Sequence, residues 1–342
     1  MSAIVASAPG KLFLLGEYAV LSGAPALLTA VDRRVTVTIE ELDTGPWRLS
    51  APDLGLSRLA LGDGGSVPGG LDEDTVRRLR LFDAVRSAVA QCARRHPDAR
   101  GPRPLSITTN SGALFSGSHK LGLGSSAAVA VALTGALARA SGLTLDRDGL
   151  CDLASAAHRT AQHGAGSGAD VAASVYGGLL AFKHGAPPTA LAWPGELAMM
   201  VVVTGEGSST TELVGRVAQY AERDASGYRT DLDRLSALAN QAEESLGEAD
   251  RFLKLAADYF DALVHLDAHA HAGIVTARHL RLHEVAERAG GVFKTSGAGG
   301  GDVGLAFSRS GAPALHLAAA LAAAGAEVVP LGFGAAGLED GS

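Results

Sequence analysis

The segment "HKLGLGSSAAVAVAL", His119 to Leu133, narrows sharply what the surrounding chain can build. Gly122, Gly124, Ser125 and Ser126 are poor helix formers, whereas Ala127 to Ala140 is almost wholly apolar and suited to a buried helix. A loop that turns abruptly into a helix presents the helix's first four N–H groups, which together carry about half a positive charge. Glycines let an anion approach that backbone closely. An ordinary helix start, capped by Ser125 or Ser126, accounts for one serine and leaves the glycines on either side of Leu123 unexplained. The segment is therefore read as an anion site.

At 342 residues the chain exceeds one small core, and two domains are expected, 1–187 and 188–342, divided at "HGAPP". With 47% apolar and 19% charged residues the composition is that of a soluble globular protein. A net charge of −7 excludes non-specific nucleic-acid binding, which needs a basic surface. Any strongly anionic ligand must then be held by a local cluster of positive groups. Cys92 and Cys151 are the two cysteines, far apart in sequence, so neither a disulfide framework nor a thiolate metal site is expected. This suits a cytoplasmic protein. "MSAIVASAPGK" lacks the basic region and apolar core of a signal peptide. The Ala314–Ala326 run is too short for a bilayer, so no membrane partner is expected.

Lysine usage adds a pointer. Of 29 basic residues five are lysine and 24 arginine, yet Lys11, Lys120 and Lys294 all sit in or beside glycine-rich stretches. A compact ammonium suits a point contact to phosphate where a guanidinium is too wide.

Along the chain, strands are expected at Ala3–Ser7, Leu12–Tyr18, Val35–Glu41, Leu105–Thr109, Leu179–Lys183, Leu197–Thr204, Val303–Phe307 and Glu327–Phe333. Helical patterns cover Glu73–Arg95, Ser125–Ala140, Asp146–Gln162, several pieces of Thr210–Leu282, and Ala312–Ala324. Mixed pieces of this kind predict α+β layers in both halves. Two glycine stretches formally match a dinucleotide pattern, Gly122-x-Gly124-x-x-Ala127 and Gly299-x-Gly301-x-x-Gly304. The first lies far past its strand and the second runs into a strand, so an NAD(P)-binding oxidoreductase is a remote alternative.

The order and content of four stretches resemble the GHMP kinase superfamily, and within it the phosphomevalonate kinases most closely. "APGKLFLLGEYAVLSGAPALLTAVDRR" (Ala8–Arg34) looks like the family's first motif and "KLGLGSSAAV" (Lys120–Val129) like its phosphate loop. "GSGADVAASVYGG" (Gly166–Gly178) looks like the aspartate segment, and "KTSGAGGGDVGLAF" (Lys294–Phe307) like the third motif. The resemblance implies a two-domain α+β GHMP kinase fold, with a ferredoxin-like second domain and the active site in the interdomain cleft. It implies a monomer or homodimer that uses ATP and Mg²⁺ to phosphorylate 5-phosphomevalonate to the diphosphate in isoprenoid biosynthesis. Mevalonate kinase and mevalonate diphosphate decarboxylase are the alternatives inside the superfamily.

On the same footing, Lys120, Gly122, Leu123, Gly124, Ser125, Ser126 and Ala127 would hold the ATP phosphates, and the Ser126 hydroxyl would hold Mg²⁺. Asp170 and Lys11 would be the catalytic pair. Glu17, Tyr18, His119, Gly297, Ala298, Gly299 and Gly300 would face the acceptor. Taken alone, Asp170 near a helix start also reads as a dipole-compensating carboxylate, and Lys11 as a solvated charge. Two positions depart from the family pattern: Arg159 stands where mevalonate kinases carry a second Mg²⁺-binding glutamate, and Thr295 where a proline is usual. His265, His269 and His271 have a metal-like spacing but read more simply as a solvated helix face.

Overall fold

In the computed structural model, which describes residues 3–100, 103–116, 119–164, 166–205 and 209–341, the chain forms α+β layers around two sheets. The first sheet is built from β1 (Ile4–Leu15), β2 (Ala26–Glu41), β3 (Arg48–Ala51), β4 (Leu56–Ala60) and β5 (Leu105–Asn110). A two-residue hairpin, β6 (Phe115–Ser116) and β7 (His119–Lys120), precedes the glycine loop. Farther along, β8 (Leu179–Phe182) and β9 (Thr189–Leu191) extend the first sheet through the opening residues of β2. The second sheet runs β11-β12-β10-β13, all antiparallel, from β10 (Leu197–Val203), β11 (Val292–Thr295), β12 (Val303–Arg309) and β13 (Glu327–Val329). The last strand, β14 (Glu339–Gly341), returns to pair with β1 in the first sheet.

Four helices go with the first sheet: α1 (Glu73–Ala93), α2 (Ser125–Ala140), α3 (Arg147–Ala161) and α4 (Ala169–Tyr176). The others are α5 (Thr210–Arg223), α6 (Ala225–Ala239), α7 (Ala242–Ser245), α8 (Ala249–Ala270), α9 (Ala277–Arg288) and α10 (Ala312–Ala323). Helix α2 is central. It packs on β1, β2, α1, α3 and α4, and residues Ala127, Ala128 and Ala130 to Ala138 are buried. Small side chains there let five neighbours approach on all sides, which is why this helix lacks a polar face.

Three boundaries differ from expectation, each for a local reason. The two opening strands are one, because a bulge between Pro9 and Lys11 absorbs the Pro-Gly pair. Gly10 is required in it, since a Cβ there would lie 2.8 Å from Leu123 O. Strand β2 begins at Ala26, nine residues before the alternating pattern at Val35, because its early part is covered on both faces and carries no alternation. The strand expected over Glu327–Phe333 stops at Val329, before Pro330 and its missing N–H, and Phe333 bridges to Val31 of the first sheet.

Candidate active site

Strand β1 and the glycine loop are tied together directly: Lys11 N donates to Leu123 O at 2.8 Å. Leu123 is sunk in the core at 1% exposure, so the loop is anchored at its middle while Gly122 and Gly124 turn at φ +64° and +74°. No side chain caps α2. Its N-cap is Gly124, in the left-handed region, and both serines fall inside the first turn. The N-cap reading of Ser125 or Ser126 is thereby overturned, and the chain keeps both hydroxyls for other partners.

The loop opens onto a cleft of about 600 Å³ between the two sheets, a size suited to small-molecule ligands. Lys11, Glu17, Tyr18, Gly122, Gly124, Ser125, Ser126, Ala127, Asp170, Gly297, Ala298 and Gly299 line it, twelve residues drawn from four separated motifs. The Lys11 side chain is buried, with Nζ 5.3 Å from the centre of the Phe13 ring. A Cβ on Gly124 would lie 2.7 Å from Lys11 Cε, and one on Gly297 3.9 Å from Lys11 Nζ. The ammonium therefore sits between the Gly122–Ala127 glycine loop and the Gly297–Gly299 loop. Asp170 stands in the first turn of α4, where its Oδ1 accepts from Val171 N at 2.9 Å.

Contacts across the cleft fix the third-motif loop. Tyr18, held at φ +61°, donates from Oη to Ala298 O at 2.6 Å. Ser296 Oγ accepts from Phe13 N at 3.1 Å and donates to Phe13 O at 2.9 Å. Glu17 is fully enclosed beside Lys294, and burial pushes its carboxyl up while the lysine's attraction opposes the shift. Burial likewise lowers the Lys294 ammonium and raises the Tyr18 phenol. Behind the loop, Gly300 N donates to Ile274 O at 2.8 Å, so Gly300 supports the cleft without lining it. The backbone of His119 and Lys120 pairs with Phe115 and Ser116, and the side chains of both lie outside the described residues.

Four further residues at or behind the cleft are not among the candidates that the sequence singled out. Asp302, just before β12, reaches the glycine loop, where a Cβ on Gly122 would lie 2.5 Å from Asp302 Cβ. Thr210 and Thr211 bring the first turn of α5 to the cleft. His158, 4% exposed on α3, places Nε2 2.6 Å from Ser126 Oγ. Arg159 turns the other way and lines a separate crevice with His184. No group of three or more His, Cys, Asp or Glu among the described residues is placed to hold a metal ion. His269 Nδ1 instead pairs with Asp231 Oδ2 at 2.8 Å. Among the described residues no helix is long and apolar enough to cross a membrane.

With this geometry in hand, the chain can be set beside known proteins. Residues 84–178 match the profile of the GHMP kinases N terminal domain. A phosphomevalonate kinase of Streptomyces sp. (strain CL190) is 34% identical over 340 residues, covering 89% of each chain. A mevalonate kinase of Pyrococcus abyssi (strain GE5 / Orsay) is 31% identical over 313 residues, covering 87% of this chain and 86% of its own. The crystal structure of a Lin0012 protein from Listeria innocua superposes with a TM-score of 0.85 at 25% identity over 99% of each chain. A Streptococcus pneumoniae phosphomevalonate kinase in complex with phosphomevalonate and AMPPNP shares the fold, with a TM-score of 0.79 at 22% identity over 97% and 100% of the two chains.

Proposed function

The chain belongs to the GHMP kinase superfamily and has its two-sheet α+β fold, and we propose that it transfers the γ-phosphoryl group of ATP to the 5-phosphate of phosphomevalonate. The observation that carries this reading is the convergence of three helix starts on one cleft: α2 at Ser125, α4 at Asp170 and α5 at Thr210. Each brings partial positive charge, and Lys11 adds a full one, inside a protein whose net charge is −7. Asp170 offsets the end of α4. Glu212 likewise offsets the end of α5, which Ser209 also caps. The end of α2, with no acidic residue in its first turn, is the one that remains for the triphosphate of ATP at the glycine loop, with a phosphate-bearing acceptor opposite. On this reading residues 1–187 hold the nucleotide and residues 188–342 close over the acceptor.

The donor set fits Mg²⁺ carried in with the nucleotide. Ser126 Oγ and the Asp170 carboxylate line the cleft, and an ion that takes few protein ligands completes its shell from phosphate and water. When bound, Mg²⁺ neutralises phosphate charge and favours in-line transfer. The chain's own residues do the rest. Backbone amides of the Gly122–Ala127 loop cradle the phosphates, and Lys11 stands between both loops to neutralise charge on the moving group. An oxygen of the acceptor phosphate bonds to the γ-phosphorus as the bond to the ADP oxygen breaks. Asp170 orients Lys11 rather than taking a proton.

Release of ADP with mevalonate, phosphomevalonate and mevalonate diphosphate as acceptors tests the reading. The expected result is a clear preference for phosphomevalonate, with affinity falling as salt is added. Equal kcat/KM for mevalonate overturns the acceptor assignment in favour of mevalonate kinase, whose relatives are nearly as similar to this chain.

A further inference from the structure

We propose that His158 is a positioning residue that holds the hydroxyl proton of Ser126 away from the cleft, so that Ser126 Oγ offers its lone pairs to a nucleotide-borne divalent cation. This rests on the cleft being a nucleotide site. His158 lies on the buried face of α3 with Leu150, Ala154 and Ala157. Its Nε2 has two neighbours, Ser126 Oγ at 2.6 Å and Gln162 Nε2 at 3.0 Å. In the tautomer that satisfies both neighbours, Nε2 is the acceptor and the ring proton sits on Nδ1, since the Gln162 amide nitrogen turned toward it can only donate. That nitrogen has one lone pair, and the shorter contact, 2.6 Å against 3.0 Å, gives the larger share of it to the Ser126 hydroxyl as donor.

The direction of that hydrogen bond decides what the serine can do. A hydroxyl has one proton and two lone pairs. If the proton were free to swing into the cleft it would face the cation, and a cation binds lone pairs. With the proton fixed on His158, the oxygen turns its lone pairs toward the space shared with Asp170 and the glycine loop. The geometry also accounts for the departure at position 159. Successive residues on a helix point about 100° apart. Residue 158 meets Ser126 while Arg159 faces another crevice, so the group that supports the metal-binding serine is an imidazole one position earlier. Groups that orient a metal ligand typically change metal affinity about 10- to 100-fold when removed.

The test measures ADP affinity of the full chain by calorimetry, with and without Mg²⁺, and takes the ratio as the metal-dependent gain. His158→Phe keeps a planar ring without an acceptor, and His158→Gln restores an acceptor oxygen. The expected result is a loss of about tenfold in the gain for His158→Phe, most of it recovered in His158→Gln. Affinity for ADP without metal should stay within about twofold in both. Ser126→Ala should lose the gain as well, and adding His158→Phe to it should lose no more, because the two act through one oxygen. The electron paramagnetic spectrum of Mn²⁺·ADP should shift toward the free-complex form in the same variants. If His158→Phe does not fold, His158→Asn replaces it: its amide is too short to hold the hydroxyl, and the same loss is expected.

A gain unchanged in folded His158→Phe, or losses that multiply with Ser126→Ala, overturns the inference and leaves the kinase reading intact. Failure of the unaltered protein to bind ADP at all overturns both.

Discussion

Lys294 reaches from the second sheet to Glu17 at the end of the first strand's turn, Nζ to Oε1 2.5 Å, with side-chain exposures of 0% and 2%. Lys294 Nζ also donates to Thr295 O at 2.5 Å, whereas Glu17 Oε2 has no hydrogen-bond partner among the described residues. Such a pair gains little over an apolar replacement but is costly to break by halves, since the survivor is a buried lone charge. Lys294→Met is expected to lower the unfolding free energy by about 3–5 kcal/mol. Combining it with Glu17→Gln should recover most of that loss. Denaturant unfolding of the two single variants and the double variant checks this, and additive losses would show that the pair does not couple the two sheets.

The space beside Gly124 makes a separate prediction. An alanine there would carry φ +74° and press its Cβ to 2.7 Å from Lys11 Cε. Displacing a charge-neutralising group by about 1 Å costs on the order of 100-fold in rate. Gly124→Ala should therefore lose about that much kcat while melting only a few degrees lower, as left-handed strain of about 1–2 kcal/mol implies. Gly23→Ala is the control: its φ is +88°, with nothing within 4 Å of the added carbon. It should share the small loss of stability and keep its kcat.

Acid stability should depend on His279. This side chain is fully buried at the start of α9, where its Nδ1 accepts from Thr276 N at 3.1 Å and its Nε2 meets Thr204 Oγ1 at 3.1 Å. Burial depresses its pKa to about 4 from an ordinary 6.5, with Asp267 opposing the shift. The unfolded chain binds the proton first as pH falls. Stability from the neutral imidazole is therefore complete above about pH 6.5 and is lost progressively down to about pH 4, a total of roughly 3 kcal/mol. Unfolding free energies between pH 7 and 4.5 should fall steeply for the natural chain. His279→Asn keeps an acceptor for Thr276 N and should flatten that slope; an unchanged slope would refute the assignment.

How much of this was readable in the sequence depends on whether the signal is local. The Ser125–Ala140 helix is bounded by glycine on one side and has unbroken apolar content, so its limits match the structure to the residue. The Asp146–Gln162 pattern runs one residue too far at each end, because Asp146 is the cap of α3, accepting from Gly149 N at 2.8 Å, and the helix closes at Ala161. Lys11 and the third-motif glycines could be singled out because glycine beside lysine is conspicuous. His158 could not. A lone histidine on an amphipathic helix has no spacing that tells a ligand from a core residue, and its partner Ser126 is 32 positions away. Thr210 was equally silent, and Asp302, although inside the third motif, had no readable role, since the second half's contribution exists only once β12 and α5 are brought against the first sheet. The return of β14 to β1 was hidden for the same reason: a three-residue strand gains its meaning from its neighbour.

The division of labour between Asp170 and Lys11 gives the sharpest kinetic expectation. An alcohol acceptor holds its proton tightly, so its oxygen benefits from a base that takes the proton as the new bond forms. A phosphate monoester has a second pKa of about 6, so at pH 7 the attacking oxygen is already largely ionised. With phosphomevalonate as acceptor, a general base has little to do. Asp170 lies at the start of α4, where it accepts from Val171 N and balances a helix end, while Lys11 stands buried between the two glycine loops. Charge neutralisation by Lys11 is then the larger contribution. Lys11→Ala should lower kcat at least as much as Asp170→Asn. More tellingly, kcat/KM of Asp170→Asn between pH 5.5 and 9 should keep the acidic limb of the natural protein, because that limb reports ionisation of the substrate. Disappearance of the limb in Asp170→Asn would make Asp170 the titrating base, and the acceptor would then be better sought among alcohols.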